Sequence, residues 1–277
     1  MTDFGKMTSP WTNATSYLAL LHGEQNHLTD GSGFFWRSAS GRIFLVSNWH
    51  VFSGYTPDGH SLRKDGARPD RVIMFVYKQL NKPEKEGGDY DMQYTALSVQ
   101  LCEPDYSKPT WLEHPELGRK IDVAALDVTD VVAGYHVFAA NEIEADVVME
   151  PTVSQDVFIV GFPFGQITGA PAPIWKRGSI ALDPFFNPDG LPKTFVDTAT
   201  RPGMSGSVVL ARHHVTAGRL TKKDGSQTEL VFGAKFDLVM GVYSGRIGPD
   251  LEKAQLGIIW KRSVISDLVD KGVAATA

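Results

Sequence analysis

The sequence predicts an all-β sandwich or barrel. Short β-rich runs bounded by turn residues recur along nearly all of the 277 residues, and convincing helices are few. Hydrophobic residues at 42% suffice for a real core, and charged residues at 21% are at the ordinary globular level. The length fits one large domain or two of moderate size.

In chain order, the expected strands of the first half are 16–21, 33–37, 43–47, 71–77, 95–102 and 123–128. Each is rich in aliphatic, β-branched or aromatic residues and ends at a glycine, a proline or a polar turn. The charged, glycine-rich stretch 81–91 reads as an exposed loop, and 136–150 carries the chain between halves. The second half offers 145–149, 156–161, 178–182, 194–197, 207–211, 230–236 and 239–243. Asp224 and Gly225 lie between two β-like runs and signal a hairpin. One helix is expected, Arg262 to Lys271, because Val264, Ile265, Leu268 and Val269 share a face at helical spacing. No internal repeat of the solenoid or propeller kind is present.

Net charge is −5, which argues against a nucleic-acid partner held by phosphate contacts. No stretch approaches the roughly 20 apolar residues of a membrane span. Residues 1–7 lack a basic region followed by an apolar one, so no secretory signal is visible. The single cysteine, Cys102, excludes an intramolecular disulfide and suits a reducing compartment, so a cytoplasmic location is expected. No metal or cofactor is expected: His213 and His214 are strand neighbours that point to opposite faces, with no matching ligand spacing nearby.

The chemistry concentrates in three segments. In Arg201-Pro202-Gly203-Met204-Ser205-Gly206-Ser207 a serine sits between glycines, in a loop opened by a proline and closed by an apolar run. Such a loop can expose a hydroxyl and turn backbone N–H groups toward the atom that the hydroxyl attacks. Upstream, His50 ends the apolar run 43–46, and Asp122 begins the run 123–126. Alone, each has an ordinary reading: a turn serine, a histidine bonded to backbone, a strand-start aspartate. Together they supply what acyl transfer by serine requires, a base, an orienting carboxylate and oxyanion donors. The order His, Asp, Ser separates this chain from subtilisins and from α/β-hydrolases, and the serine also misses the G-x-S-x-G elbow because Ser207 holds the last glycine position.

On these segments the chain resembles the trypsin-like (chymotrypsin-fold) serine proteases, nearest the disulfide-free bacterial type that includes the HtrA proteases. Ser47-Asn48-Trp49-His50-Val51, Ile121 to Leu126 and Gly203 to Ser207 carry the resemblance; Val160 to Pro163 and Met240 to Gly245 support it. The resemblance implies two six-stranded β-barrels, residues 10–140 and 141–277, with a C-terminal helix and an active site between them. It casts His50 as general base, Asp122 as orienting carboxylate, Ser205 as nucleophile, and the Gly203 and Ser205 amides as oxyanion hole. Ala199, Thr200, Tyr243, Ser244 and Gly245 would then line the substrate pocket. Ala199 at the pocket base favours a small or medium apolar side chain, while Arg201 and Arg246 nearby favour acidic groups instead.

Departures from the family pattern matter too. Secreted members often carry an aspartate before the serine that pairs with a new N-terminus after zymogen cleavage; Met204 cannot form that pair. Ser207 replaces a usual glycine. The chain leaves no room for a PDZ domain after residue 270. The expected function is a serine endopeptidase acting on protein or peptide substrates. The alternatives are a protease-fold binding or scaffold module, or a latent effector that needs a regulatory protein partner.

Overall fold

The computed structural model describes residues 9–79, 92–103, 108–165, 172–199, 201–215, 218–230, 233–247 and 256–276. Its strands are β1 (Thr15–His22), β2 (Asn26–Arg37), β3 (Ile43–Ser47), β4 (Arg71–Gln79), β5 (Met92–Gln100), β6 (Trp111–Glu113), β7 (Ala124–Asp127), β8 (Asp156–Gly161), β9 (Ile174–Ile180), β10 (Lys193–Asp197), β11 (Val208–Val215), β12 (Gly218–Thr221), β13 (Gln227–Leu230), β14 (Ala234–Arg246), β15 (Leu256–Lys261) and β16 (Val273–Ala274). The α-helices are α1 (Pro10–Ala14), α2 (Trp49–Ser53), α3 (Ala140–Ile143) and α4 (Arg262–Lys271).

The second half closes into a six-stranded barrel in the order β10-β15-β14-β11-β8-β9, as expected. The first half is one eight-stranded sheet, β16-β6-β7-β3-β2-β1-β4-β5. The first half itself supplies seven strands, β1–β7, and the eighth is added where the chain returns after α4 and pairs β16 with β6, Val273 opposite Glu113. Asp224 and Gly225 turn between β12 and β13, which form the hairpin that the sequence signals. Helix α4 has the expected bounds and buries Val264, Ile265, Leu268 and Val269.

The expected strands 230–236 and 239–243 are redrawn: Leu230 ends β13, and Ala234 begins the single long strand β14 that runs through 239–243. One further expected strand is absent. Residues 145–149 are rich in valine, yet among the described residues their backbone N–H groups make a local bond, Val147 N to Ala145 O, and one distant bond, Val148 N to Thr221 O, each at 2.9 Å, and no ladder forms. β-propensity without an edge to pair with is not enough. The expected loop 81–91 lies outside the described residues.

Continuous apolar runs have a physical reason here. Phe44 and Val46 of β3 belong to a core shared by both halves, while Ile43 and Leu45 belong to the core of the first sheet. Likewise Val208 and Leu210 of β11 face the shared core, and Val209 and Ala211 face the barrel interior. Strands with both faces buried lose the polar alternation of half-exposed ones. The shared core, completed by α4, fixes the two halves against each other and so fixes the seam between them.

A buried ionic cluster braces the connection. Glu144, just after α3, has a fully buried carboxylate that accepts from Arg262 Nη1, from Lys223 Nζ at 2.7 Å and from Val239 N at 3.2 Å. Burial pushes its pKa up, but Arg262 and Lys223 outweigh that and hold it below the usual glutamate range. Glu144→Ala is therefore expected to cost about 2–4 kcal/mol in urea unfolding, somewhat under a fully buried pair because both cations reach solvent. The lowered pKa makes the stabilisation present at neutral pH and lost as pH falls below the unfolded glutamate value near 4.5. A mutant that matches wild type at pH 7 would remove this role.

Candidate active site

His50 lies in α2, a single helical turn between buried β3 and Gly54. Trp49, Val51, Phe52 and Ser53 are buried, which leaves His50 as the one residue of that turn facing the cleft. Its Nδ1–H donates to Asp122 Oδ2 at 2.7 Å, and its backbone N–H donates to Asp122 Oδ1 at 2.9 Å. Both carboxylate oxygens are thus used, and Nε2 is left as the ring's acceptor. Burial alone lowers the imidazole pKa, but the Asp122 charge and hydrogen bond outweigh it, and the net shift is upward.

Asp122 stands between Ile121 and Val123, both fully buried, at the entry to β7. Its carboxylate takes a third donor, Ser244 Oγ, and its backbone carbonyl accepts from Asn48 Nδ2 at 2.6 Å. These donors offset the cost of holding an ionised carboxylate against so much apolar sequence. Sequence reasoning placed Ser244 against substrate; the structure also brings its hydroxyl to Asp122. No sequence signal gives Asn48 a role; its position two residues before His50 brings its amide to the Asp122 carbonyl.

The serine loop joins β10 to β11. Met204 is fully buried among Val157, Ile159, Val209 and Tyr243 in the barrel core, so the residue that departs from the family pattern is an apolar anchor. Gly206 N donates to Tyr243 O and Tyr243 N to Ser207 O, each at 2.9 Å. Tyr243 contributes this backbone, while its ring is buried at 2% exposure. Ser205 and His50 line the same two cavities of the seam, about 380 Å³ and 240 Å³.

Gly203 has φ +91°, and a Cβ there would come within 2.4 Å of Phe162 O, so both conformation and space require glycine. The preceding carbonyl, Pro202 O, accepts from Phe164 N at 2.7 Å. In a trans peptide this aims the Gly203 N–H in the opposite direction. Among the described residues neither the Gly203 nor the Ser205 N–H has an acceptor.

Ser32 of β2 ties the first sheet to this loop. Its N–H donates to Ser205 O at 2.9 Å, and its Oγ–H donates to Gly203 O at 2.8 Å. The same Oγ accepts from Phe162 N at 2.9 Å, and Ser32 O accepts from Ser47 Oγ at 2.8 Å. No sequence signal marks Ser32, a small residue in an apolar strand. Ser207, which replaces a glycine, fits because its partner is one: a Cβ on Gly161 would lie 1.9 Å from Ser207 Oγ.

Other expected residues fall as follows. Ala199 is exposed, and its carbonyl accepts from Lys176 Nζ. Gly245 lines the 240 Å³ cavity with Ser244. Thr200 lies outside the described residues. His213 is buried and stacks on Phe236 at 5.5 Å, while His214 is exposed, as alternation along β11 requires. No helix is long and apolar enough to cross a membrane among the described residues.

A two-sheet β protein with a histidine–carboxylate pair facing a serine loop across its seam has the layout of a serine hydrolase. A family model, the trypsin-like peptidase domain, matches residues 31–218, well over half the chain. The chain belongs to that family and is a serine endopeptidase. No curated protein matches significantly. Solved structures similar to it include the thermostable serine protease AL20 from an extremophilic microorganism, at 12% identity and TM-score 0.46, covering 94% of this chain and 97% of that one. Others are a Glu endopeptidase in complex with MPD (12%, TM-score 0.45, 96% of each chain) and the active form of the Rv3671c protease from M. tuberculosis (15%, TM-score 0.44, 96% and 83%).

Two substitutions test the packing around the loop. Ser32→Ala removes the two of its four bonds that use the hydroxyl, to Gly203 O and from Phe162 N, and is expected to cost about 1–3 kcal/mol in denaturant unfolding. Gly161→Ala should destabilise by a similar or larger amount. Adding Ser207→Gly should recover part of that loss but not all, because Ser32 Oγ also lies 2.7 Å from the new Cβ. Equal losses with and without Ser207→Gly would contradict the packing described.

Proposed function

We propose that Ser205 is the nucleophile, His50 its general base and Asp122 the carboxylate that orients His50, with the Gly203 and Ser205 amides as oxyanion hole. The observation that carries this is the Asp122–His50 contact at 2.7 Å, with His50 and Ser205 on the walls of the same cavities. Ser205 Oγ attacks the scissile carbonyl as its proton passes to His50 Nε2. The amide nitrogen then leaves with that proton, and water hydrolyses the acyl-enzyme by the same route. Asp122 stays ionised throughout, fixing the tautomer and stabilising the imidazolium. The pinned Pro202 carbonyl keeps the Gly203 N–H free for the developing oxyanion, a donor of the kind worth about 10²–10³ in rate.

The reading extends to setting. A single buried cysteine suits a reducing compartment such as the cytoplasm. Met204 leaves no acid for an N-terminal ion pair, so the protein is either active as folded or controlled by a partner or by loop ordering.

A fluorophosphonate probe tests the assignment. Wild type should label at Ser205, while Ser205→Ala and His50→Ala should not; labelling elsewhere, or equal labelling of all three, would refute it. The rate should fall on acidification with a midpoint above 6.5, the ordinary histidine value, because only neutral His50 accepts the proton and Asp122 favours its charged form. Asp122→Asn should lower that midpoint and slow labelling by roughly 10⁴. An unshifted midpoint would show that Asp122 does not act on His50.

A further inference from the structure

We propose that this endopeptidase prefers substrates with an acidic side chain on the acyl side of the scissile bond, the P1 position, and that Arg201 and Arg246 recognise its carboxylate. The inference rests on the reading that Ser205 is the nucleophile, since P1 is defined by the bond it attacks.

The 240 Å³ cavity beside Ser205 is walled by Arg201 and Pro202 from the serine loop and by Ser244, Gly245 and Arg246 from the end of β14. Two arginines thus line it from two separate elements, and no carboxylate is among its lining residues. Among the described residues, neither Arg201 nor Arg246 pairs with an acid, unlike Arg42, Arg63, Arg177, Arg212 and Arg262, each of which meets a carboxylate within 3.0 Å. In a chain of net charge −5, two unpaired arginines at one cavity are a local reversal of sign.

A third cation strengthens that reversal. Lys176 Nζ is bonded to the carbonyl of Ala199, the residue at the expected pocket base. Burial and the positive charge of Arg201 hold the Lys176 ammonium below the usual lysine range. Cations at the wall of the cavity suit a side chain that carries a negative charge at its end. Guanidinium is also the group best shaped for a carboxylate, offering two parallel N–H donors. A Lys or Arg side chain at P1 would meet like charge with no acid to receive it.

The experiment measures kcat/KM on fluorogenic peptides that differ only at P1, carrying Glu, Asp, Gln, Leu or Lys. Wild type should favour Glu or Asp over Gln by about tenfold or more, a difference that shrinks with added salt because the pocket is open. Arg201→Gln and Arg246→Gln should each reduce the ratio, and the double variant should bring it near one. Arg246→Glu should shift preference toward Lys.

Binding of the same peptides to the Ser205→Ala protein reads the pocket without catalysis. Tighter binding of the Glu than of the Gln peptide, lost in the arginine variants, supports the proposal even where fluorophosphonate labelling had failed. Equal affinity for Glu, Gln and Leu peptides overturns it, whatever the labelling shows. Labelling at Ser205 together with a Leu preference would sink the specificity and leave the nucleophile assignment standing.

Discussion

The site depends on one buried serine that is not expected to do chemistry. Ser32 uses its N–H, its hydroxyl in both senses and its carbonyl to fasten β2 to Gly203, Ser205, Phe162 and Ser47. His50 and Asp122 belong to the first sheet and Ser205 to the barrel, so their relation can be no tighter than the joint between the two. Apolar packing across the shared core supplies most of the free energy that holds the halves together, but it is non-directional. Hydrogen bonds to the loop backbone add the direction that packing lacks, and at full burial each carries a penalty if broken.

Charge is handled differently at two buried carboxylates. Asp122 is satisfied by an imidazole, a hydroxyl and a backbone amide, none of them a fixed cation. Glu144 is satisfied by two fixed cations and an amide. The first arrangement leaves the histidine able to gain and lose a proton, since its partner's charge is not already neutralised. The second locks a connection and has no proton to move. The same residue chemistry thus gives a pair with a titratable ring in one place and a brace in the other.

Much of this was legible in the sequence because it depends on local pattern. Strands β3 and β8 and helix α4 fall at the expected bounds, since apolar runs closed by polar or glycine residues specify them locally. The serine loop announces itself through Gly203 and Gly206, whose spacing reflects backbone demands. What could not be read depends on distant partners. Strand β16 is two residues long and forms only because β6 offers an edge; residues 145–149 have the composition of a strand and no such edge. Ser32 and the hydroxyl of Ser244 act through hydrogen bonds to segments more than a hundred residues away, and Phe164 N through a bond to Pro202 in the serine loop; no period or composition marks such residues.

Met204 shows how a departure from family pattern becomes intelligible once burial is known. An aspartate at that position needs a partner cation, because an unpaired charge beside a core is costly. Burying a methionine side chain contributes about 1.5–3 kcal/mol without a partner, a range a buried ion pair often fails to reach net of desolvation. Here the side chain is fully buried between Val157, Ile159, Val209 and Tyr243, so the loop is held from inside the barrel. The Phe164 N–H holds the adjacent Pro202 carbonyl from the other side. Gly203 is therefore set by packing and a backbone bond already present in the folded chain, and its geometry requires no cleavage event.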